Sequence, residues 1–243
     1  MTMWYKTFAG DDLDCVTGAY GHGQYRLSSL PTTCPEISGE PVLCRWGYHV
    51  CRREHVIFHL STHIAAVEIE GVVYRDDDDK GASCAPLTVV RLLDRWTPQV
   101  QRLFGCDVAA RVAHLAGEHE PTCHAAILAA RRYALGLCSD DDLAAAAEAA
   151  RVAACELVAA EATEATEATA GVGEAADAAA WAAGRGAARA ARAAARAARA
   201  AALAAALAAR RNETAWQSKL LWQWLDGHRT PDDVRRELEE LEE

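Results

Sequence analysis

Between Ala144 and Ala209 the sequence holds 38 alanines in 66 residues. Nothing else constrains the chain so tightly. Alanine is the strongest helix former and lacks the β-branch that fits a pleated strand, so this segment reads as helix. Each Ala buries about one methyl group, whereas burying a whole Leu or Phe side chain contributes roughly 1.5–3 kcal/mol. A hydrophobic content of 51 % therefore overstates the core available. Helices of this composition must rely on intrinsic propensity and on close backbone approach.

The helical grammar begins before the alanine tract. Thr97-Pro98 pairs an N-cap residue with a proline at the first helical position. Val100, Leu103, Phe104, Val108, Val112 and Leu115 then recur at helical spacing. Pro121 opens a second helix closing near Gly136, and Ser139 with Asp140, Asp141 and Asp142 makes an acidic start to a third. That third helix is expected to run into the Glu161–Thr169 repeat, and Gly171 and Gly173 break it. A fourth, from Glu174 to Arg210, would hold about 36 residues and span roughly 54 Å. Trp216, Leu220, Leu221, Trp224 and Leu225 form a further apolar helical face ended by Gly227. Thr230-Pro231-Asp232-Asp233 caps a last short helix.

Residues 1–95 follow a different rule. Met3–Phe8 begins a strand-rich module, and Gly18, Gly21, Gly23, Pro31, Pro35, Gly39 and Pro41 mark the next stretch as loops. Val42–Cys44 and Tyr48–Cys51 are short β candidates, and Arg52–Thr62 is expected to form one helix of about three turns. Ile64–Tyr74 alternates as one strand with a bulge at Gly71, and Leu87–Leu93 is a final strand. The expected fold class is thus α+β. A small β-rich module spans residues 1–95, and an alanine-rich, antiparallel helical bundle spans residues 96–243.

Charge narrows the partners. The chain carries 25 Lys and Arg against 35 Asp and Glu, a net −10, and both the β-rich and the helical parts are acidic. Nucleic acid is disfavoured, because backbone binding relies on clustered Lys and Arg neutralising phosphates. Met1-Thr2-Met3-Trp4-Tyr5-Lys6 has no signal-type apolar run, and no bilayer-length run of large apolar residues occurs. Nine irregularly spaced cysteines read as reduced thiols, so a cytoplasmic location without membrane association is expected.

Chemistry concentrates at Cys44-Arg-Trp-Gly47-Tyr-His49-Val-Cys51, followed by His55, His59 and His63. Cys44, His49 and Cys51 have the donor types of a tetrahedral zinc site, which makes a structural zinc ion the one cofactor to consider. Each of these cysteines also serves as a small buried hydrophobe in many cores. Separately, Cys51, His55, His59 and His63 are spaced by four, which would align them on one helix face. Asp76–Asp79 is an acidic run without the alternation of a calcium loop. Arg185, Arg189, Arg192, Arg196 and Arg199 fall within about 80° of arc on an ideal helix. This stripe contacts a protein partner, pairs internally with Glu156, Glu161, Glu164 and Glu167, or is simply the solvated face of its helix. No phosphate loop, HExxH, nucleophile elbow or CxxC is present.

Tyr5-Lys6, Cys44/Gly47/Tyr48/His49/Cys51, Val67–Gly71, Lys80 and Leu87–Leu92 together resemble an N-terminal domain of unknown function from bacteriophages and actinobacteria. Its mark is a Cys–x–x–Gly–aromatic–His–x–Cys element. Cys106-Asp107-Val108-Ala109, Ala126–Gly136, Ala175–Arg210 and Trp216–Leu225 resemble all-helical proteins assigned as immunity proteins of polymorphic toxin systems. The best-defined pieces of that likeness are Cys106-Asp107 and Arg131–Gly136. Gly47-Tyr48-His49-Val50, with the following helix and Val67–Gly71, is also similar at fold level to a segment of ADP-ribosyltransferases. The leading expectation is a non-enzymatic interaction protein, of immunity or phage–host conflict type, binding a protein partner through its helical half. The alternatives are a divergent nucleotide-handling domain, ADP-ribosyltransferase-like, in residues 1–95, or a structural zinc module there.

Overall fold

A computed structural model describes residues 3–18, 24–74, 79–161 and 210–241. The chain divides into two compact units, Met1–Trp96 and Thr97–Glu243. The layout is α+β, with antiparallel sheets in the first unit and helices in the second.

Among the described residues of the first unit, nine strands form two sheets: β1 (Trp4–Ala9), β2 (Val16–Gly18), β3 (Gln24–Tyr25), β4 (Thr32–Cys34), β5 (Tyr48–Val50), β6 (His63–Ile69), β7 (Val73–Tyr74), β8 (Gly81–Ser83) and β9 (Leu87–Leu92). The larger sheet has the order β3-β2-β1-β6-β9-β4 and the smaller the order β5-β8-β7. Trp4 and Phe8 of β1, Val67 and Ile69 of β6, and Leu87 and Val89 of β9 alternate onto one face, as period-two strands must. There they meet Tyr48 and Val50 of β5 in one core cluster.

Four expectations for this unit need correction. Val42 and Trp46 make only an isolated bridge, a turn and not a strand. The expected helix over Arg52–Thr62 is a 3-10 helix, Arg53–His59. The expected single strand over Ile64–Tyr74 is broken at Gly71, whose φ of 63° reverses the chain, so β6 and β7 belong to different sheets. Short strands β2, β3 and β4 also lie in the stretch read as loops.

The second unit contains α1 (Pro98–Val112), a 3-10 helix (Ala113–His119), α2 (Glu120–Ala134), α3 (Asp140–Glu161), α4 (Arg210–Asp226) and α5 (Pro231–Glu240). Their ends follow the sequence signals. Thr97 Oγ1 accepts the Val100 amide at 3.2 Å. Ser139 and Asp142 bond each other reciprocally at the start of α3, and Thr230 and Asp233 form a capping box at α5. Gly136 at φ 70° follows α2, where the Leu137 amide donates back to Arg132 O at 2.8 Å. Expected helical structure between residues 162 and 209 lies outside the described residues.

One core cluster of this unit is built mainly of small side chains: Cys106, Ala109, Ala113, Ala116, Cys123, Ala126, Ala130 and Ala150, with Ile127 and Leu143. A carboxylate joins the helices beside it. Asp107 of α1 accepts from Arg131 Nη2 of α2 at 2.9 Å and from Trp224 Nε1 of α4 at 3.1 Å. Arg229, between α4 and α5, donates to it through Nε at 2.6 Å and Nη2 at 2.9 Å. Arg229 also reaches Glu237 of α5 at 2.8 Å. The Asp107 side chain is 7 % exposed and that of Glu237 41 %. That contrast sets the expected cost of losing each. Asp107→Asn leaves two guanidiniums without a buried counter-charge and should destabilise the fold by about 3–5 kcal/mol. Glu237→Gln should cost under about 1 kcal/mol. Urea unfolding midpoints of the two variants check this, and equal losses would remove Asp107 from its central place.

Candidate functional site

Lys6 interrupts an otherwise apolar pattern. It lies between Trp4 and Phe8 on the same face of β1, and both neighbours belong to the core between the sheets. Lys6 follows them inward and is only 3 % exposed. Its Nζ donates to His49 O at 3.0 Å and sits 5.7 Å from the Phe8 ring centroid and 5.4 Å from that of Tyr25. A Cβ at Gly18 would come within 3.0 Å of Lys6 Cε and of Tyr25 Cε2, so the glycine leaves this space for them. The Tyr25 hydroxyl is buried without a hydrogen-bond partner among the described residues. Loss of hydration lowers the Lys6 pKa from 10.5 to about 8, against an opposing pull from Cys51 and Cys34.

The backbone explains why a space exists here. One edge of β1 is filled by β6 from Trp4 to Phe8. On its other edge the neighbour changes: Tyr5 exchanges both backbone hydrogen bonds with Cys51, whereas Phe8 and Ala9 pair with Gly18 and Thr17 of β2. Lys6 and Thr7 occupy the interval between these two pairings. A small pocket sits there, with Lys6, Thr7, His49, Val50, Cys51, His59 and Lys80 in its lining. Its free volume of about 10 Å³ is the space of roughly one water molecule.

The structure puts Cys44, His49 and Cys51 close in the fold but turns each to its own partner. His49 Nε2 accepts the Cys44 backbone amide at 2.8 Å, which assigns the ring proton to Nδ1 in the neutral form. Cys44 is exposed and left-handed at φ 63°. Cys51 Sγ points to Tyr5 O at 3.5 Å, and burial pushes its thiol up to about 12, so it stays protonated at neutral pH. Zinc takes thiolate sulfur and an imidazole lone pair, and both groups would have to leave these bonds to provide them. Among the described residues no group of three or more His, Cys, Asp or Glu is placed to hold a metal ion.

The remaining sites are distributed as follows. The expected histidine ladder does not form, because Cys51 pairs with β1, His63 starts β6, and three residues per turn in the 3-10 helix separate positions four apart. His55 Nδ1 instead meets the Tyr74 hydroxyl at 2.6 Å, His59 meets Asp79 at 3.2 Å, and His63 meets Gly10 O at 3.0 Å. Desolvation lowers the His59 pKa, with Asp79 opposing it. Arg185, Arg189, Arg192, Arg196 and Arg199 lie outside the described residues, as do Asp76, Asp77 and Asp78. None of the described helices is long and apolar enough to cross a membrane. Compared with known families, curated proteins and solved structures, the chain matches none.

Lys6 had one sequence signal, a lone charge on the apolar side of a strand. Its burial predicts a definite pH response. Below about pH 8 the amine is charged in both folded and unfolded chains, and the burial cost is fully present. Between about 8 and 10.5 the unfolded chain retains a proton that the folded chain has lost, so the Lys6 contribution becomes less unfavourable as pH rises. Lys6→Met should therefore be more stable than the parent at neutral pH, by on the order of 3 kcal/mol. The difference should shrink as pH approaches 10.5. Paired urea titrations across this range isolate the amine, because titrating thiols are common to both proteins. A difference independent of pH would contradict the assignment.

Proposed function

We propose that the chain is a non-enzymatic interaction protein that binds a protein partner through its helical unit, of the immunity or phage–host conflict type. The observation that carries this reading is a pair of arginine–aromatic stacks on α1. The Arg111 guanidinium lies 4.3 Å from the Trp216 ring centroid, and that of Arg102 lies 5.0 Å from Tyr133. Arg111 is exposed and the other three residues are half-buried. Such stacks present large planar surfaces whose rotamers are already fixed, so little side-chain entropy is lost on binding. Arg, Tyr and Trp are also the residue types that dominate the energetics of protein interfaces.

The polar groups deeper in the unit support the same reading from the other side. Asp107 and Arg131, which fall within the best-defined pieces of the likeness to helical immunity proteins, Cys106-Asp107 and Arg131–Gly136, bond each other at 2.9 Å. They hold helices together, which makes them scaffold. Burial likewise pushes the Cys106 thiol up to about 12, removing it as a nucleophile at neutral pH. What the described helices offer to another molecule is then their surface.

The test is affinity capture from the lysate of the native host with the full-length chain, beside a double variant, Arg111→Ala with Trp216→Ala. The parent should retain a stoichiometric protein partner, and truncating a binding hot spot should weaken retention by about tenfold or more. A parent chain that elutes as a free species, or a partner held equally by the variant, would argue against the proposal.

A further inference from the structure

We draw no further inference here: the strongest candidate, the pocket of about 10 Å³ beside Lys6 where the edge of β1 changes partner, belongs to the site already described, and with the Asp79 carboxylate 3.2 Å from its His59 nothing in the structure identifies an occupant larger than a single water molecule.

Discussion

The helical unit depends on a single carboxylate. Alanine sets how near two helices approach, but one alanine face closely resembles the next, so apolar contact alone leaves rotation and register weakly defined. Asp107 supplies direction. Its two oxygens together accept from Arg131, Arg229 and Trp224, tying α1 to α2, to α4 and to the connection into α5. A buried ion pair gains little over a well-packed apolar substitute, yet it is expensive to break. In an alanine-rich unit that property favours one arrangement of the helices over near alternatives. The cluster around Cys106 and Ala109 gives closeness, and the neighbouring carboxylate gives identity.

The β unit solves its own specification problem through the element from Cys44 to Cys51. A Cβ on Gly47 would approach Ser83 O to 2.7 Å, so glycine is what allows β5 and β8 to come together at that point. The Tyr48 hydroxyl donates to Pro35 O at 2.7 Å. His49 receives the Cys44 amide, Val50 enters the core, and Cys51 pairs with Tyr5 through both backbone groups. A run that looks like metal-binding chemistry in one dimension thus has an internal structural use for nearly every residue. Cys and His are versatile enough as small hydrophobe and ring acceptor that their clustering alone does not separate the two roles.

Local signals carried most of what was legible in the sequence. Thr97-Pro98, Ser139-Asp142 and Thr230-Asp233 announced helix starts because capping is decided by residues three apart, and Gly136 and Gly227 announced ends for the same reason. Signals that depend on distant partners were not legible. Strands β2, β3 and β4 have two or three residues each, too few to show a period; β2 and β4 exist because β1 and β9 offer edges to them, and β3 because β2 does. The spacing of His55, His59 and His63 suggested a shared face only on the assumption of an α-helix, and a 3-10 turn removes that alignment. Asp107 and Arg131 both stood out in the sequence, but their pairing across 24 residues is a product of the fold.

Two buried charges show how differently one chain treats such groups. Asp107 is surrounded by four donors that satisfy both of its oxygens, three of them from the guanidiniums of Arg131 and Arg229. Lys6 has one neutral carbonyl and two aromatic rings, and its amine is desolvated enough to fall to about 8. The first arrangement is what a structural charge requires, because every lost hydration contact has a replacement within the chain. The second is incomplete by the same measure. Its location sharpens the contrast, since Lys6 stands where one edge of β1 passes from Cys51 to β2 and the sheet does not close around it. A fold able to compensate a buried carboxylate so fully has no general difficulty in doing so. Lys6 keeps the lesser compensation, at the place where the edge of β1 changes partner.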